Sequence, residues 1–178
     1  MNNSNPYKSA AQIDDLIHQM VDQLNARLAE RHITNPLMIG IHTGGVWLAE
    51  RLHRQMQLKE PLGTLDIAFY RDDFTRIGMN PQVRPSHLPV TVDDRHIILV
   101  DDVLQTGRTI RAALNEIFDY GRPASIILTT LVERSGRELP IEPDVVGICP
   151  DLAPENHITL TGPEPLGLII KESKHSPS

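Results

Sequence analysis

One cysteine, Cys149, is present in 178 residues, so no intramolecular disulfide can form and a secreted, disulfide-stapled scaffold is excluded. No stretch of about 18 apolar residues occurs and the polar N-terminus has no signal-peptide core, so the expected location is the cytoplasm, without membrane attachment. Basic charge is also scarce. Seventeen Lys and Arg stand against 23 Asp and Glu, a formal net charge of −6, which argues against a broad nucleic-acid-binding face and leaves only a local basic patch open. Two nucleotide patterns are missing: there is no G-x-x-x-x-G-K-[ST], and no G-x-G-x-x-G opens a helix after a strand. The eight histidines show no metal-ligand spacing, and no internal repeat is found.

What is present is an ordinary globular composition, with 40% apolar and 22% charged residues, in a length suited to one domain. Ser9 with Gln12 forms a capping-box pattern, and Ile13, Leu16, Ile17, Met20, Leu24 and Leu28 then recur at helical spacing. "LMIGI" (37–41) predicts a strand, "HTGG" a turn, and "VWLAERLHRQM" (46–56) a helix with Trp47 on its inner face. "LDIAFY" (65–70), "HIILV" (96–100) and "SIILTTLV" (125–132) predict further strands, and "TIRAALNEIFDYG" (109–121) a helix ended by Gly121 and Pro123. Apolar strands alternating with helices predict a doubly wound α/β fold around a mostly parallel sheet. "VVGIC", "ITLTG" and "GLIIK" are expected to form a small cap or antiparallel addition. The domain is expected to span 1–178, with the first helix at about 9–30, a core at about 33–133 and a hood at about 134–173.

The stretch "IILVDDVLQTGRTI" (97–110) concentrates the chemistry. In open α/β sheets ligands bind beyond the carboxyl ends of the strands, where Asp101 and Asp102 are expected to lie. Adjacent carboxylates repel, and a cation or a group of hydroxyl donors would relieve that repulsion. "QTGRT" follows directly and opens a helix, so its N–H groups, the Thr106 and Thr109 hydroxyls and the helix dipole describe an anion site that Gly107 lets a ligand approach closely. A carboxylate pair beside a phosphate cradle suits a ligand such as a phosphorylated ribose.

Apolar strand, Asp-Asp, a few variable residues, Thr-Gly-x-Thr and helix together resemble the phosphoribosyl pyrophosphate (PRPP) signature of type I phosphoribosyltransferases. The flanks "GIHTGGVWLAERL", "LDIAFYRDD" and "VERSGRELPI" resemble the PyrR family, pyrimidine operon attenuators that are also uracil phosphoribosyltransferases, over roughly residues 10–150. The resemblance implies conversion of uracil and PRPP to UMP and pyrophosphate, with Mg²⁺ as cofactor. Asp101 and Asp102 would accept from the ribose hydroxyls and hold Mg²⁺ mainly indirectly, through PRPP and water. Thr106, Gly107, Arg108 and Thr109 would bind the 5′-phosphate, and the turn Thr43-Gly44-Gly45 the pyrophosphate, with His42 a candidate contact beside it. In the family this turn often contains a non-proline cis peptide, and some members carry arginine where this chain has Gly44. The long segment after Tyr70 would be a flexible loop closing over PRPP, with Arg71 as a catalytic and Arg84 as a further pyrophosphate contact, and Asp72 and Asp73 as candidates for a second Mg²⁺. Val103 would lie at PRPP and the base, with Leu104, Arg134 and Arg137 completing the uracil pocket. Gln105 stands where purine enzymes have an aspartate, and a glutamine cannot act as a base.

The resemblance also implies pyr leader mRNA as a partner and a homodimer or larger assembly. Glu142 and Asp144 after "RELP", and Asp14, Asp15 and Asp22 on the first helix, are acidic where an RNA face needs basic residues. A phosphoribosyltransferase for another base, and a PRPP- or UMP-sensing regulator with little RNA binding, remain as alternatives.

Overall fold

A computed structural model describes residues 6–67 and 86–173. Helix α1 (Ala10–Glu30) starts at the capping box, with Ser9 N–H donating to Gln12 Oε1 at 2.9 Å and Gln12 N–H to Ser9 Oγ at 3.3 Å. Strand β1 (Leu37–Ile41) is buried throughout and leads into α2 (Gly44–Met56), which begins two residues before the expected helix. Then follow β2 (Gly63–Leu65), β3 (His96–Leu104), α3 (Arg108–Tyr120), β4 (Ser125–Glu133), β5 (Val145–Ile148), β6 (His157–Thr161) and β7 (Gly167–Lys171). The strand expected over 65–70 is represented by β2, which starts two residues earlier and ends at Leu65; residues 68–70 lie outside the described part.

Five strands form one parallel sheet in the order β2-β1-β3-β4-β5. α1 and α2 pack in one apolar cluster with Ile98, Val100 and Ile127, whereas α3 packs in another with Ile97, Leu99 and Leu128. Alternate residues of β3 thus serve opposite faces, as the period of a pleated strand requires. Val145–Ile148 corrects the expected division of the C-terminal region. These residues pair parallel with β4 and extend the main sheet; only β6 and β7 form an antiparallel hairpin. β5 buries Val145 among side chains of α1 and β4, and a parallel edge position satisfies its backbone there. The hairpin buries Ile158, Leu160 and Leu168 in the α1–α2 cluster.

The strand order places the functional segments. From β1 the chain turns to β2 on one side, and β3 then returns to β1's other side. This reversal opens a crevice at the carboxyl ends of β1 and β3, where ligands of open α/β sheets bind.

Candidate functional site

The turn 42–45 follows β1 and the segment 101–109 ends β3, so the two expected ligand segments meet at the switch point. β3 is longer than its apolar run predicts. It carries Asp101 and Asp102 within the strand, with Asp101 in register with Thr130 of β4. Asp101 is buried, and its Oδ1 accepts from Asp102 N–H at 2.9 Å. Asp101 lines a cavity of about 210 Å³ together with residues 103–107 and Thr109. Both aspartates lie against the start of α2: a Cβ on Gly44 would lie 2.3 Å from Asp102 Oδ2, and one on Gly45 would lie 3.4 Å from Asp101 Oδ1. Asp102 Oδ1 accepts from Val103 N–H at 2.9 Å.

Each aspartate faces a helix N-terminus. α2 begins at Gly44 after Thr43, and α3 at Arg108 after Gly107; neither has a side-chain cap. Gly107 has φ +90°, a left-handed conformation that favours glycine. Arg108 N–H donates to Thr106 Oγ1 at 3.1 Å, and the Arg108 side chain pairs with Glu138 at 2.6 Å. Uncapped first turns leave backbone donors and a positive dipole end for anions. The His42–Thr43 peptide is cis. His42 N–H donates to Leu65 O at 2.9 Å, while its buried Nδ1 has no hydrogen-bond partner among the described residues. The Thr129 and Thr130 hydroxyls, beside Asp101 on β4, also lack partners there.

Val103, Leu104 and Gln105 line the cavity with Asp101. The two arginines expected at the base each bond protein groups, although the buried Arg134 Nε has no partner among the described residues. Arg134 is buried and donates through Nη2 to Ala153 O at 3.4 Å. Arg137 donates through Nη1 to Gln105 O at 2.7 Å and through Nη2 to Glu133 Oε1 at 2.5 Å. Neither lines the cavity. Glu133, the partner of Arg137, and Glu138, the partner of Arg108, are absent from the sequence-derived site; the charge pattern of "VERSGRE" holds them but does not pair them. Cys149 is exposed; partial desolvation, and then the charge of Glu133, push its thiol above its ordinary pKa, in keeping with an unreactive cysteine. Arg71, Asp72, Asp73 and Arg84 lie outside the described residues. No three His, Cys, Asp or Glu side chains converge among the described residues to make a metal site. Two aspartates without a third ligand suit a cation that arrives already chelated by a diphosphate, touched through water or ribose oxygens.

A parallel α/β sheet with carboxylates and two uncapped helix starts at its switch point defines a phosphoribosyltransferase, and the family model "Phosphoribosyl transferase domain" matches residues 9–164. The chain belongs to the PyrR family within that class. It is 62% identical over 168 residues to "Bifunctional protein PyrR" of Nitrosococcus oceani, covering 93% of this chain and 95% of that protein. It is 58% identical over 157 residues to the protein of the same name from Pseudomonas aeruginosa, covering 88% and 92%. Among solved structures, a purine phosphoribosyltransferase from Pyrococcus horikoshii matches at 25% identity and TM-score 0.59, over 80% of this chain and 84% of that one. The hypoxanthine phosphoribosyltransferase of Trypanosoma cruzi matches at 16% identity and TM-score 0.67, over 93% and 94%. At that identity the likeness is one of fold.

Proposed function

We propose that the chain is a uracil phosphoribosyltransferase, converting uracil and PRPP to UMP and pyrophosphate, and a pyrimidine-responsive regulator that binds pyr leader mRNA. The observation that carries the enzymatic reading is the pair Asp101 and Asp102 set between two uncapped helix N-termini at one sheet switch point. Two anion sites flanking a hydroxyl acceptor pair match the 5′-phosphate, diol and diphosphate of PRPP. The N–H groups of Thr106, Gly107 and Thr109 hold the 5′-phosphate. Those of Thr43 to Gly45 hold the pyrophosphate as charge accumulates on it. Asp101 and Asp102 accept from the ribose hydroxyls and, being anionic, stabilise positive charge developing at C1 in an oxocarbenium-like transition state. Magnesium bound with PRPP neutralises diphosphate charge and improves the leaving group. Most of the acceleration comes from positioning and charge complementarity, with no covalent intermediate required.

Uracil as the base is supported by PyrR family membership and by Gln105, whose amide offers no base for a purine ring nitrogen. Val103 and Leu104 form the apolar side of the base pocket. The whole chain, 1–178, acts as one phosphoribosyltransferase domain in a cytoplasmic homodimer or larger assembly; no described helix is long and apolar enough to cross a membrane.

Incubation with PRPP, Mg²⁺ and, separately, uracil, hypoxanthine, guanine or orotate should release pyrophosphate with uracil. Turnover confined to another base would replace the substrate assignment. Asp102→Asn should lower kcat by about a hundredfold or more, the scale of removing one transition-state electrostatic contact. Full activity in that variant would remove the role given to Asp102.

A further inference from the structure

We infer that Arg137 and Glu133 form a bridge that holds the phosphate-binding loop in its binding shape, making Arg137 a positioning residue for PRPP, distinct from any group that reads the base. The inference rests on the reading that residues 106–109 take the 5′-phosphate.

Three successive carbonyls of the loop are taken up by the segment after β4. Leu104 O accepts from Arg134 N–H at 2.9 Å. Gln105 O accepts from Arg137 Nη1 at 2.7 Å. Thr106 O accepts from the N–H groups of Glu138 and Leu139 at 2.9 and 3.1 Å. A trans peptide is planar, with its C=O and N–H pointing in opposite directions. Turning the Gln105 and Thr106 carbonyls toward residues 137–139 therefore turns the N–H groups of Thr106 and Gly107 away from that segment. Thr106 and Gly107 line the cavity that Asp101 also lines, so these are the donors a phosphate there would meet. The strap on the outside sets the polarity of the cradle on the inside.

Among the described residues Arg137 is the one side chain that bonds one of these three carbonyls; the other two are held by backbone groups. Its second donor pair meets Glu133 at 2.5 Å, and both side chains are half-buried. Gly136, at φ +109°, lets the chain double back so that residues 133 and 137 face each other. Arginine suits this post because its rigid fork reaches a carboxylate and a carbonyl at once, whereas lysine concentrates its donors on a single nitrogen. A guanidinium already committed to Glu133 and Gln105 has its charge compensated by protein, leaving it poorly placed to choose between bases.

The test compares wild type with Arg137→Ala, Arg137→Lys and Glu133→Gln in two measurements. Calorimetric titration with ribose 5-phosphate reads the cradle without the base. Steady-state kinetics with PRPP and uracil varied separately reads both substrates, and thermal unfolding of each variant identifies those that are folded. Arg137→Ala should weaken ribose 5-phosphate binding and raise KM for PRPP by about tenfold or more, the scale of one lost charge-assisted bond, with KM for uracil changed less than about twofold. Arg137→Lys should recover part of the affinity. Glu133→Gln, close in shape, should shift the same two quantities in the same direction by less. A rise in KM for uracil with unchanged ribose 5-phosphate binding would make Arg137 a base contact and overturn the inference; unchanged values throughout would overturn it as well. A wild type that binds ribose 5-phosphate without turning over uracil would sink the substrate assignment alone, with the bridge still decided by the titration.

Discussion

At position 44 a single hydrogen atom decides where the Asp102 carboxylate lies. A Cβ there would stand 2.3 Å from Oδ2 and 2.8 Å from Cγ of Asp102, separations that no side chain tolerates without moving. Gly44→Ala should therefore push Asp102 from its place, raising KM for PRPP and lowering kcat by about tenfold or more, for roughly 1.4 kcal/mol per factor of ten. Asp102→Ala removes the obstructing group, so adding Gly44→Ala to it should cost no further PRPP affinity by titration. Independent, additive losses would show that the methyl group acts through the backbone turn. The adjacent aspartates are legible as a motif in the sequence; that they lie within β3 and against the first two residues of α2 is visible only in the structure.

Among the elements, the opposite edge of the sheet is tied by a small polar cluster at the amino ends of β1, β2 and β3. Asn35 Nδ2 donates to Glu60 Oε1 at 3.0 Å, and Arg95 Nη2 lies 3.4 Å from the same oxygen and donates to Asn35 O at 3.0 Å. The hydrogen bond from Asn35 first, with the charge of Arg95 assisting against the cost of burial, holds the Glu60 pKa below the ordinary glutamate value. A depressed carboxylate contributes stability that is present above its unfolded pKa of about 4.3 and is lost as pH falls through the lower folded value. Asn35→Ala should therefore lower the urea midpoint slightly at pH 7, with the gap to wild type narrowing at pH 3 and kcat unchanged. A gap that stays constant with pH would assign the loss to packing. Elements with strong local patterns, such as α1 with its capping box and β4 with its apolar run, match their expected spans closely. β5 does not, because "VVGIC" reads the same whether it pairs parallel at a sheet edge or antiparallel in a hairpin. The choice rests on the β4 backbone offering an open ladder.

Over the whole molecule the net charge of −6 is unevenly placed, and two of the acidic residues that stand where an RNA face needs basic ones are neutralised locally by arginines. Asp144 is occupied by Arg31 at 3.2 Å and by Leu128 N–H at 2.9 Å, and Asp14 pairs with Arg51 at 3.5 Å. Acidic residues that brace α1 against β5 and α2 against α1 do not all contribute to an outward field. Binding of a pyr leader RNA should be strengthened by UMP and should fall at least about tenfold between roughly 50 and 200 mM salt, because each phosphate contact releases counterions. Gel shifts across salt, with and without UMP, measure both dependences. Binding indifferent to UMP would leave the enzyme without the regulatory partner.

The sequence by itself determined what is written in contiguous residues: the alternation of apolar strands and helices, the capping box, and the PRPP signature from Val100 to Thr109. Such features are local because a strand end, a turn and a helix start follow one another along the chain and need only short-range backbone geometry. Only the tertiary structure decided what those residues meet. Asp102 lies against Gly44, Arg137 closes on Gln105 and Glu133, and β5 joins β4. Each of these depends on which parts of the chain the sheet brings together, and hydrophobic periodicity specifies the face a residue takes without naming its neighbour across the gap.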